Sequence, residues 1–389
     1  MDITLRLAGR IDANNAQEWE GKLLPEAGQG NNLILDAEGL EYISSAGLRV
    51  LLKLHKIAEN IRVINASQDV FNILEVTGFT ELLDVRKKLR EVSVEGCEFI
   101  GSGGYGRVYR LDSETIVKLY NPGLSLELVE QERNNSQKAF LMGVPTAISY
   151  DVVRCGNCFG VVYEMLNAKT VAQIIDAQPD NLHEVCSKCA ILLKSLHEIV
   201  PGPEAGLPDR KQELLMNIDA LAGLITDDEI RIMKDFINSI PDRNTFLHGD
   251  FNSKTIMLRD GEFQLIDIGD AAVGHPVFDV AGLMLAYIIL PQSRGGRLSD
   301  QQRRGLLGFD FELAPKVWNV LCSTYFGLKN IAEVQNMTDK LMPYCLLLMG
   351  LHSFRLFRNV PDVLPMILNS LRERVLPALE NTHSLDFWL

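Results

Sequence analysis

The chain has 389 residues, 47% of them hydrophobic, so it is long enough for two or three domains that each bury a core. Its 38 basic and 51 acidic side chains give a formal net charge of −13, which argues against nucleic acid or an anionic membrane as the main partner. No apolar run approaches the ~20 residues of a membrane span, and no secretion signal is visible. With seven cysteines, an odd number, these features predict a cytoplasmic protein.

The first region alternates between predicted strands and helices. Alternating or continuous apolar runs predict strands at 3–7, 32–36 and 61–64, and helical periodicity predicts helices at 13–24, 46–59 and 68–76. This order predicts a small open α/β sheet covered by helices. The charge-rich stretch 86–95 is predicted to be a linker or the last helix of this region.

Residues 36–48, with the sequence DAEGLEYISSAGL, resemble the STAS domain of anti-sigma-factor antagonists. In that family a Ser or Thr at the start of the second helix is phosphorylated, and its charge switches the binding of a regulatory protein. Ser45 matches that position, and Ser44 replaces the aspartate that usually precedes it. A helix N-terminus offers free N–H groups and a positive dipole end to a phosphate. The alternative is that Ser44 or Ser45 is only the helix N-cap.

A glycine-rich loop begins the second region. It contains Gly101, Gly103 and Gly106 in a pattern that Rossmann folds also use, although there the loop precedes a helix. Here a strand, a turn at 112–113 and a second strand at 116–120 follow. This order favours a flexible hairpin that folds over nucleotide phosphates, and the alternative is an ordinary hairpin turn.

The strand after the loop carries Lys118 among apolar neighbours. An unpaired ammonium group is costly to bury, so this lysine requires an anionic partner. The next predicted helix, 124–142, offers several glutamates, and Glu132 falls on its apolar face at 3.6-residue spacing. We therefore predict Glu132 as the partner, with Glu130 as the second choice and a solvated glutamate as the alternative.

Further along, a predicted hairpin carries an aspartate at each end. Its strands, 255–258 and 263–266, are joined by an Asp-Gly turn, with Asp250 before the first strand and Asp267 after the second. The hairpin brings both carboxylates to one end. One carboxylate can then accept or orient a hydroxyl proton while the other holds magnesium on the phosphates.

In this order of elements, the chain from Glu95 to its end resembles the aminoglycoside phosphotransferase and choline kinase family, in which His-Gly-Asp replaces the His-Arg-Asp of protein kinases. The resemblance implies ATP and Mg²⁺ as cofactors, Asp250 as the catalytic base and Asp267 as a metal ligand. It also implies that His248 supports the loop, and that the backbone from Glu164 to Leu166 forms the hinge that pairs with adenine.

Two further positions follow from the resemblance. Asp279 matches a family aspartate that anchors the segment after the metal site, and the alternative is a helix cap. The family has a metal-binding asparagine five residues after the catalytic aspartate, where this chain has Thr255. A threonine hydroxyl can bind magnesium but reaches less far than an amide, so Asn252 is the alternative ligand. Lys254 is a candidate to neutralise phosphate charge. A third possibility is that efficient metal binding is lost.

The predicted architecture is therefore an α/β STAS-type domain, 1–92, followed by a bilobal α+β kinase-like domain with a β-rich lobe, 93–166, and a helical lobe, 167–389. The predicted function is transfer of the ATP γ-phosphate to a hydroxyl of a small molecule or of a STAS serine. The alternative is a catalytically weak or inactive module that senses nucleotide and acts through the STAS domain on a regulatory protein.

Overall fold

The computed structural model describes residues 2–27, 32–58, 60–294, 298–380, 385 and 388. By the density of its internal contacts the chain divides into two units, Met1–Ser93 with Val152–Asn157, and Val94–Asp151 with Cys158–Leu389. Each unit has its own cluster of buried apolar side chains. None of the helices in these described ranges combines the length and the apolar surface that a membrane crossing requires.

The first unit is built on a four-stranded parallel sheet in the order β1-β2-β3-β4. Its strands and helices are β1 (Asp2–Ile11), α1 (Ala16–Ala27), β2 (Asn32–Ile43), α2 (Ser45–His55), β3 (Asn60–Ala66), α3 (Gln68–Val76), α4 (Phe79–Leu82), β4 (Asp84–Lys87) and the two-residue β5 (Arg90–Glu91). The buried residues Leu33, Leu35 and Val63 lie in the central strands, so the core forms between the sheet and its helices. The predicted open α/β sheet is thus confirmed.

Of the two interpretations of the charged stretch 86–95, the last helix is wrong, because the stretch holds the end of the edge strand β4 and the two-residue β5. The linker stays a prediction. The charges of β4 are used at the sheet edge, because Asp84 accepts from Arg62 Nε at 2.7 Å and the Lys87 ammonium lies 4.1 Å from the Phe71 ring centroid. Charged side chains are common on edge strands because they discourage further strand pairing, and composition alone cannot separate that use from a linker.

The second unit starts with antiparallel strands, in which β6 pairs with β7, β7 with β8 and β8 with β10. Their bounds are β6 (Phe99–Ser102), β7 (Gly106–Arg110), β8 (Thr115–Tyr120) and β10 (Cys158–Glu164). Strand β9 (Ser149–Cys155) precedes β10 in the chain, and its residues from Val152 belong to the first unit. Helix α5 (Leu126–Leu141) lies between β8 and β9 in the chain, and its N-cap Ser125 accepts a hydrogen bond from the Leu128 amide. This is the β-rich part of a kinase-like fold.

The rest of this unit is mostly helical. Its elements are β11 (Lys169–Thr170), α6 (Val171–Ala177), α7 (Leu182–Leu196), α8 (Arg210–Asp219), α9 (Asp227–Ser239), β12 (Thr245–Leu247), β13 (Ile256–Arg259), β14 (Glu262–Leu265), β15 (Ala272–Gly274), α10 (Val277–Met284), α11 (Leu290–Arg294), α12 (Asp300–Leu307), α13 (Ala314–Phe326), α14 (Ile331–Phe357), α15 (Leu364–Ser370) and α16 (Leu376–Glu380). A π-helical turn, Leu285–Ile289, joins α10 to α11. Large buried side chains such as Trp318, Tyr287 and Phe354 fill the core between these helices.

Candidate active site

Two loops of the second unit are held face to face by two pairs of strands. Strand β12 pairs with β15 at Leu247 and Ala272, and β13 pairs with β14 at Ile256 and Leu265. Segment 248–255 connects β12 to β13 and segment 266–271 connects β14 to β15, so the two segments lie side by side. We call 248–255 the catalytic loop and 266–271 the acidic loop. Gly249 makes this approach possible, because a Cβ there would collide with the backbone of Asp270.

A three-residue ion cluster joins the sheet, helix α5 and the acidic loop. Lys118 Nζ lies 2.7 Å from Glu132 Oε1 and 2.7 Å from Asp267 Oδ1. Burial lowers the pKa of Lys118, but the carboxylates of Asp267 and Glu132 outweigh it and hold that pKa above its ordinary value, so the lysine is charged. Glu132, the glutamate chosen from the sequence, is the one that contacts Lys118.

Helix α5 is fixed against the acidic loop by close packing and a hydrogen bond. A Cβ on Gly269 would lie 2.6 Å from Glu132 Cγ, so only glycine allows this approach. The buried Asn135 donates from Nδ2 to the Gly269 carbonyl at 2.9 Å. Sequence reasoning missed Asn135, because a polar residue one position off the apolar face carries no local signal for a partner 134 residues away.

Asp267 itself has unusual backbone geometry. Its φ of 58° and ψ of 50° are in the left-handed region, which an aspartate tolerates better than most residues. Its side chain keeps 48% exposure although Oδ1 contacts Lys118. Strain of this kind is often found at functional sites. The carboxylate therefore remains accessible to a further partner.

Asp250 lies in the catalytic loop near the carboxylates of Asp270 and Asp267. The residue is open to solvent at one side, yet enough protein surrounds it that desolvation raises its pKa. The charges of Asp270 and Asp267 raise it further, whereas the hydrogen bond from Asn252 lowers it, and the resulting pKa is about 7. Asp270 was not assigned a role from the sequence, although its spacing of three residues from Asp267 was visible.

The catalytic loop is held from below by Asp279. The buried Asp279 carboxylate accepts from the amides of His248 at 2.8 Å and Gly249 at 2.9 Å, and from His197 Nε2 at 3.2 Å. Two expectations are corrected here. Asp279 holds the segment around Asp250 rather than the one after Asp267. It is also not the helix cap, because the N-cap position of α10 is occupied by Pro276.

His248 is fully buried and supports the loop from inside. The amide of Asp250 donates to His248 Nδ1 at 3.3 Å, and the ring packs edge-on against Phe251 at 5.7 Å. Burial lowers the pKa of His248, so the ring is neutral at neutral pH. A neutral ring with one accepting nitrogen can brace the turn without adding charge to the site.

Thr255, at the family's asparagine position, is buried and braces the same loop. Its hydroxyl donates to the Asp250 carbonyl at 2.8 Å and accepts from the Asn252 amide at 3.0 Å. The Asn252 side chain lies nearer the carboxylates, because Nδ2 is 2.9 Å from Asp250 Oδ1. Its Oδ1 accepts from the Lys254 amide, and Lys254 Nζ donates to the Gly305 carbonyl. The metal-binding roles of Thr255 and Asn252 stay predictions.

Within the glycine-rich loop the fold requires only one of the predicted glycines. A Cβ on Gly106 would collide with the Leu119 carbonyl, whereas Gly101, Gly103 and Gly104 have open space and no left-handed φ. The Gly103 amide donates to the Gly106 carbonyl at 3.0 Å and closes the turn. The other glycines are thus not explained by packing within the chain.

The predicted hinge follows directly after β10. The Glu164 amide donates to the Ile148 carbonyl at 2.9 Å and the Met165 amide to the Glu114 carbonyl at 2.7 Å. Leu166 is buried. These contacts fix the chain path of the hinge, and its adenine contacts stay a prediction.

In the first unit the two serines have different surroundings. Ser44 is the N-cap of α2, and its Oγ accepts from the Ala46 amide at 3.2 Å. Ser45 is the first residue of the helix and is exposed. A Cβ on Gly47 would lie 2.7 Å from Ile43 Cγ1, which fixes how closely this helix end approaches the sheet. The capping role therefore belongs to Ser44, and the Ser45 hydroxyl faces solvent.

Comparison with known proteins gives a match for each part of the chain. The model of the phosphotransferase enzyme family (APH) matches residues 96–315, more than half of the chain, and the STAS domain model matches residues 2–92. The anti-sigma-B factor antagonist of Bacillus subtilis (strain 168) is 29% identical over 91 residues, which are 22% of this chain and 84% of that protein.

Solved structures are also similar to the second part of the chain. The ADP-bound aminoglycoside phosphotransferase APH(2'')-Ib has a TM-score of 0.46 at 16% identity, covering 73% of this chain and 94% of that one. A choline/ethanolamine kinase family protein from Mesorhizobium loti has a TM-score of 0.44 at 14% identity, covering 74% and 88%.

Proposed function

Since the chain belongs to the phosphotransferase enzyme family and carries an N-terminal STAS domain, we propose that it is an ATP- and magnesium-dependent kinase whose acceptor is a hydroxyl group. The observation that carries the proposal is that Asp250 and Asp267 lie on two facing loops and that the Lys118–Glu132 pair contacts Asp267. Phosphoryl transfer depends on positioning and on neutralising charge, and these side chains supply both.

In this proposal each side chain has a distinct role. Asp250 accepts or orients the proton of the attacking hydroxyl, and a pKa of about 7 suits a base that works near neutral pH. Lys118 contacts the nucleotide phosphates, and Glu132 keeps its ammonium in place. The open surroundings of Gly101 and Gly103 support a close approach of the loop backbone to phosphate, because none of the residues that the structure describes occupies that space.

The available donors fit a magnesium ion that is held jointly with a nucleotide. Among the residues that the structure describes, no three His, Cys, Asp or Glu side chains are arranged to hold a metal by themselves. Magnesium commonly uses one or two carboxylates together with substrate phosphates and water, and the half-exposed Asp267 matches that pattern, with Asn252 beside Asp250 as the second candidate ligand. When bound, the ion would neutralise charge on the phosphates.

Two classes of acceptor are compatible with this chemistry. A small alcohol, such as an amino alcohol, a sugar or an aminoglycoside, is the first. The second is Ser45, whose exposed hydroxyl stands at the start of a helix where a phosphate would be stabilised. A covalent link between an acceptor and a kinase supplies an effective concentration in the mM range for a suitable linker, so little intrinsic affinity is needed.

A second candidate function is a signalling module that binds nucleotide with little or no turnover and acts on a regulatory protein through its STAS domain. The observation that favours it is the Thr255 hydroxyl, which is buried and already hydrogen-bonded within the catalytic loop. A loop without the amide oxygen of the family's asparagine has one donor fewer for a metal ion.

Incubation of the purified protein with γ-labelled ATP and Mg²⁺ separates these functions. Label on the wild-type chain that is lost in Ser45→Ala supports Ser45 as the acceptor. ATP hydrolysis without labelling of the chain supports a small acceptor, and binding without turnover supports the signalling module. Asp250→Asn tests the role of Asp250 in phosphoryl transfer. Retention of full turnover by that variant contradicts the assignment of Asp250 as the base.

A further inference from the structure

A chain of hydrogen bonds leads from helix α13 to the catalytic loop. The Tyr325 hydroxyl lies 2.7 Å from His197 Nδ1, and His197 Nε2 lies 3.2 Å from Asp279 Oδ2. Asp279 in turn accepts from the amides of His248 and Gly249, the two residues before Asp250. The hydroxyl of Tyr325 is therefore three hydrogen bonds away from the backbone that carries the proposed base.

The chemistry of the partners fixes the direction of the hydrogen bonds to Asp279. Burial raises the pKa of Asp279, but the hydrogen bond and charge of His197 and the Gly249 amide outweigh it and hold that pKa below its ordinary value. An ionised carboxylate only accepts, so we assign a ring hydrogen of His197 to Nε2. His197 Nδ1 then faces the Tyr325 hydroxyl, which can donate to that nitrogen or accept from it.

Aromatic packing holds Tyr325 in the orientation that this hydrogen bond needs. Its ring is edge-on to His197, with centroids 5.7 Å apart and an interplanar angle of 78°. Phe326 and Trp388 pack against the other sides, with centroids 4.9 Å and 6.0 Å from that of Tyr325. Edge-to-face packing at these distances is favourable, so the hydroxyl is aimed by the core rather than by its own hydrogen bond.

We propose that Tyr325 is a positioning residue for the catalytic loop. Its hydrogen bond to Nδ1 holds the His197 ring with Nε2 directed at Asp279, and Asp279 then holds the two amides that place Asp250. The effect on turnover rests on the proposed phosphotransferase function, whereas the effect on the loop does not. Tyr325 was not singled out by its sequence, because its helix reads as an ordinary core helix.

The first test uses the full chain without nucleotide and is independent of catalysis. We expect Tyr325→Phe to shift the ¹⁵N resonance of His197 Nδ1 to that of a nitrogen without a hydrogen-bond partner. Exchange of the His248 and Gly249 amides should quicken about fivefold, as for the loss of one hydrogen bond. Tyr344→Phe, which removes a buried hydroxyl of α14 in the same core, should change neither. Unchanged His197 and amide signals in Tyr325→Phe would overturn the proposal.

The second test measures Mg²⁺-dependent ATP hydrolysis with water as the acceptor. Tyr325→Phe should lower kcat about fivefold and leave KM for ATP unchanged, because the loop and not the nucleotide contacts is altered. His197→Gln can donate to Asp279 without Tyr325, so in that background Tyr325→Phe should have no further effect. Additive losses contradict a path through His197. Absence of wild-type turnover contradicts the proposed kinase activity instead, and the amide exchange still decides the proposal on Tyr325.

Discussion

The two units of this protein present their candidate residues in opposite ways. Ser45 of the first unit stands exposed on a helix end, and its neighbour Ser44 performs the structural task of capping. Asp250 and Asp267 of the second unit depend on partners far away in the sequence, such as Asp279 and Lys118. The difference matches the proposed function, because a residue to be modified must be accessible, whereas groups that act on a phosphate must be held in place.

The largest effect that tests this comparison is expected for Asp250→Asn. Phosphotransfer or ATP hydrolysis should fall about 10²- to 10⁴-fold, which is the usual contribution of a positioned base. Ser45→Ala should leave ATP hydrolysis near the wild-type rate, because Ser45 is an acceptor at most. Steady-state kinetics with Mg²⁺-ATP provides the measurement, and equal losses in both variants would remove the distinction between the units.

The glycines of the glycine-rich loop provide a test within the second unit. Gly106→Ala should destabilise the fold by about 1–3 kcal/mol, the usual cost of overpacking, because the new Cβ meets the Leu119 carbonyl. Gly103→Ala has open space and should leave stability within about 0.5 kcal/mol while raising KM for ATP. Denaturant unfolding and kinetics separate the two. A loss of stability in Gly103→Ala would show that the chain itself, not a ligand, requires that glycine.

Helix α5 offers a matched pair of glutamates. Glu132→Gln should raise KM for ATP about tenfold or more, since loss of a charged hydrogen bond leaves Lys118 with Asp267 as its remaining ion-pair partner. Glu130→Gln, two residues away on the same helix, should change KM less than twofold. Nucleotide titration measures both. The assignment of Glu132 fails if Glu130→Gln has the larger effect.

In the first unit the comparison predicts a modest effect on stability. Ser44→Ala should lower the free energy of unfolding of this unit by about 1 kcal/mol, because it removes the N-cap of α2. Ser45→Ala should change this free energy of unfolding by less than about 0.5 kcal/mol, because Ser45 is an exposed helix residue without a capping role. Urea unfolding followed by circular dichroism distinguishes them, and the reverse order would transfer the capping role to Ser45.

The smallest expected effect is on the pH dependence of Tm, measured on the protein without nucleotide. A carboxyl whose folded pKa is raised to about 7 from an unfolded value near 3.8 binds its proton more tightly in the folded protein. Its contribution to stability is therefore lost as pH rises from the lower to the higher value. We expect Asp250→Asn to raise Tm relative to wild type, and to raise it more at pH 8 than at pH 5. A difference that does not grow with pH would contradict the raised pKa.

Sequence patterns predicted those features of the structure whose physical cause lies in neighbouring residues. The apolar period of α5 selected Glu132, and the Asp-Gly turn located the hairpin that separates the two loops, because helix faces and turns are fixed by neighbouring residues. The α/β class of the first region was predicted from its alternating strands and helices, and the kinase-like class of the second from the order of its motifs and its resemblance to the family. The edge strand β4 was missed, because its charges interact with residues on β3 and α3 that only the folded sheet brings close.

What the sequence determined by itself is the order of elements and the identity of the acidic, basic and glycine residues that this chemistry needs. The tertiary structure alone decided which groups meet. In the folded protein the Thr255 hydroxyl bonds within the catalytic loop, and Asp279 binds the backbone of that loop. His197 contacts Asp279, and Tyr325 contacts His197. The physical reason is that hydrogen bonds and ion pairs depend on a few tenths of an ångström between residues distant in the chain, and periodicity carries no information at that scale.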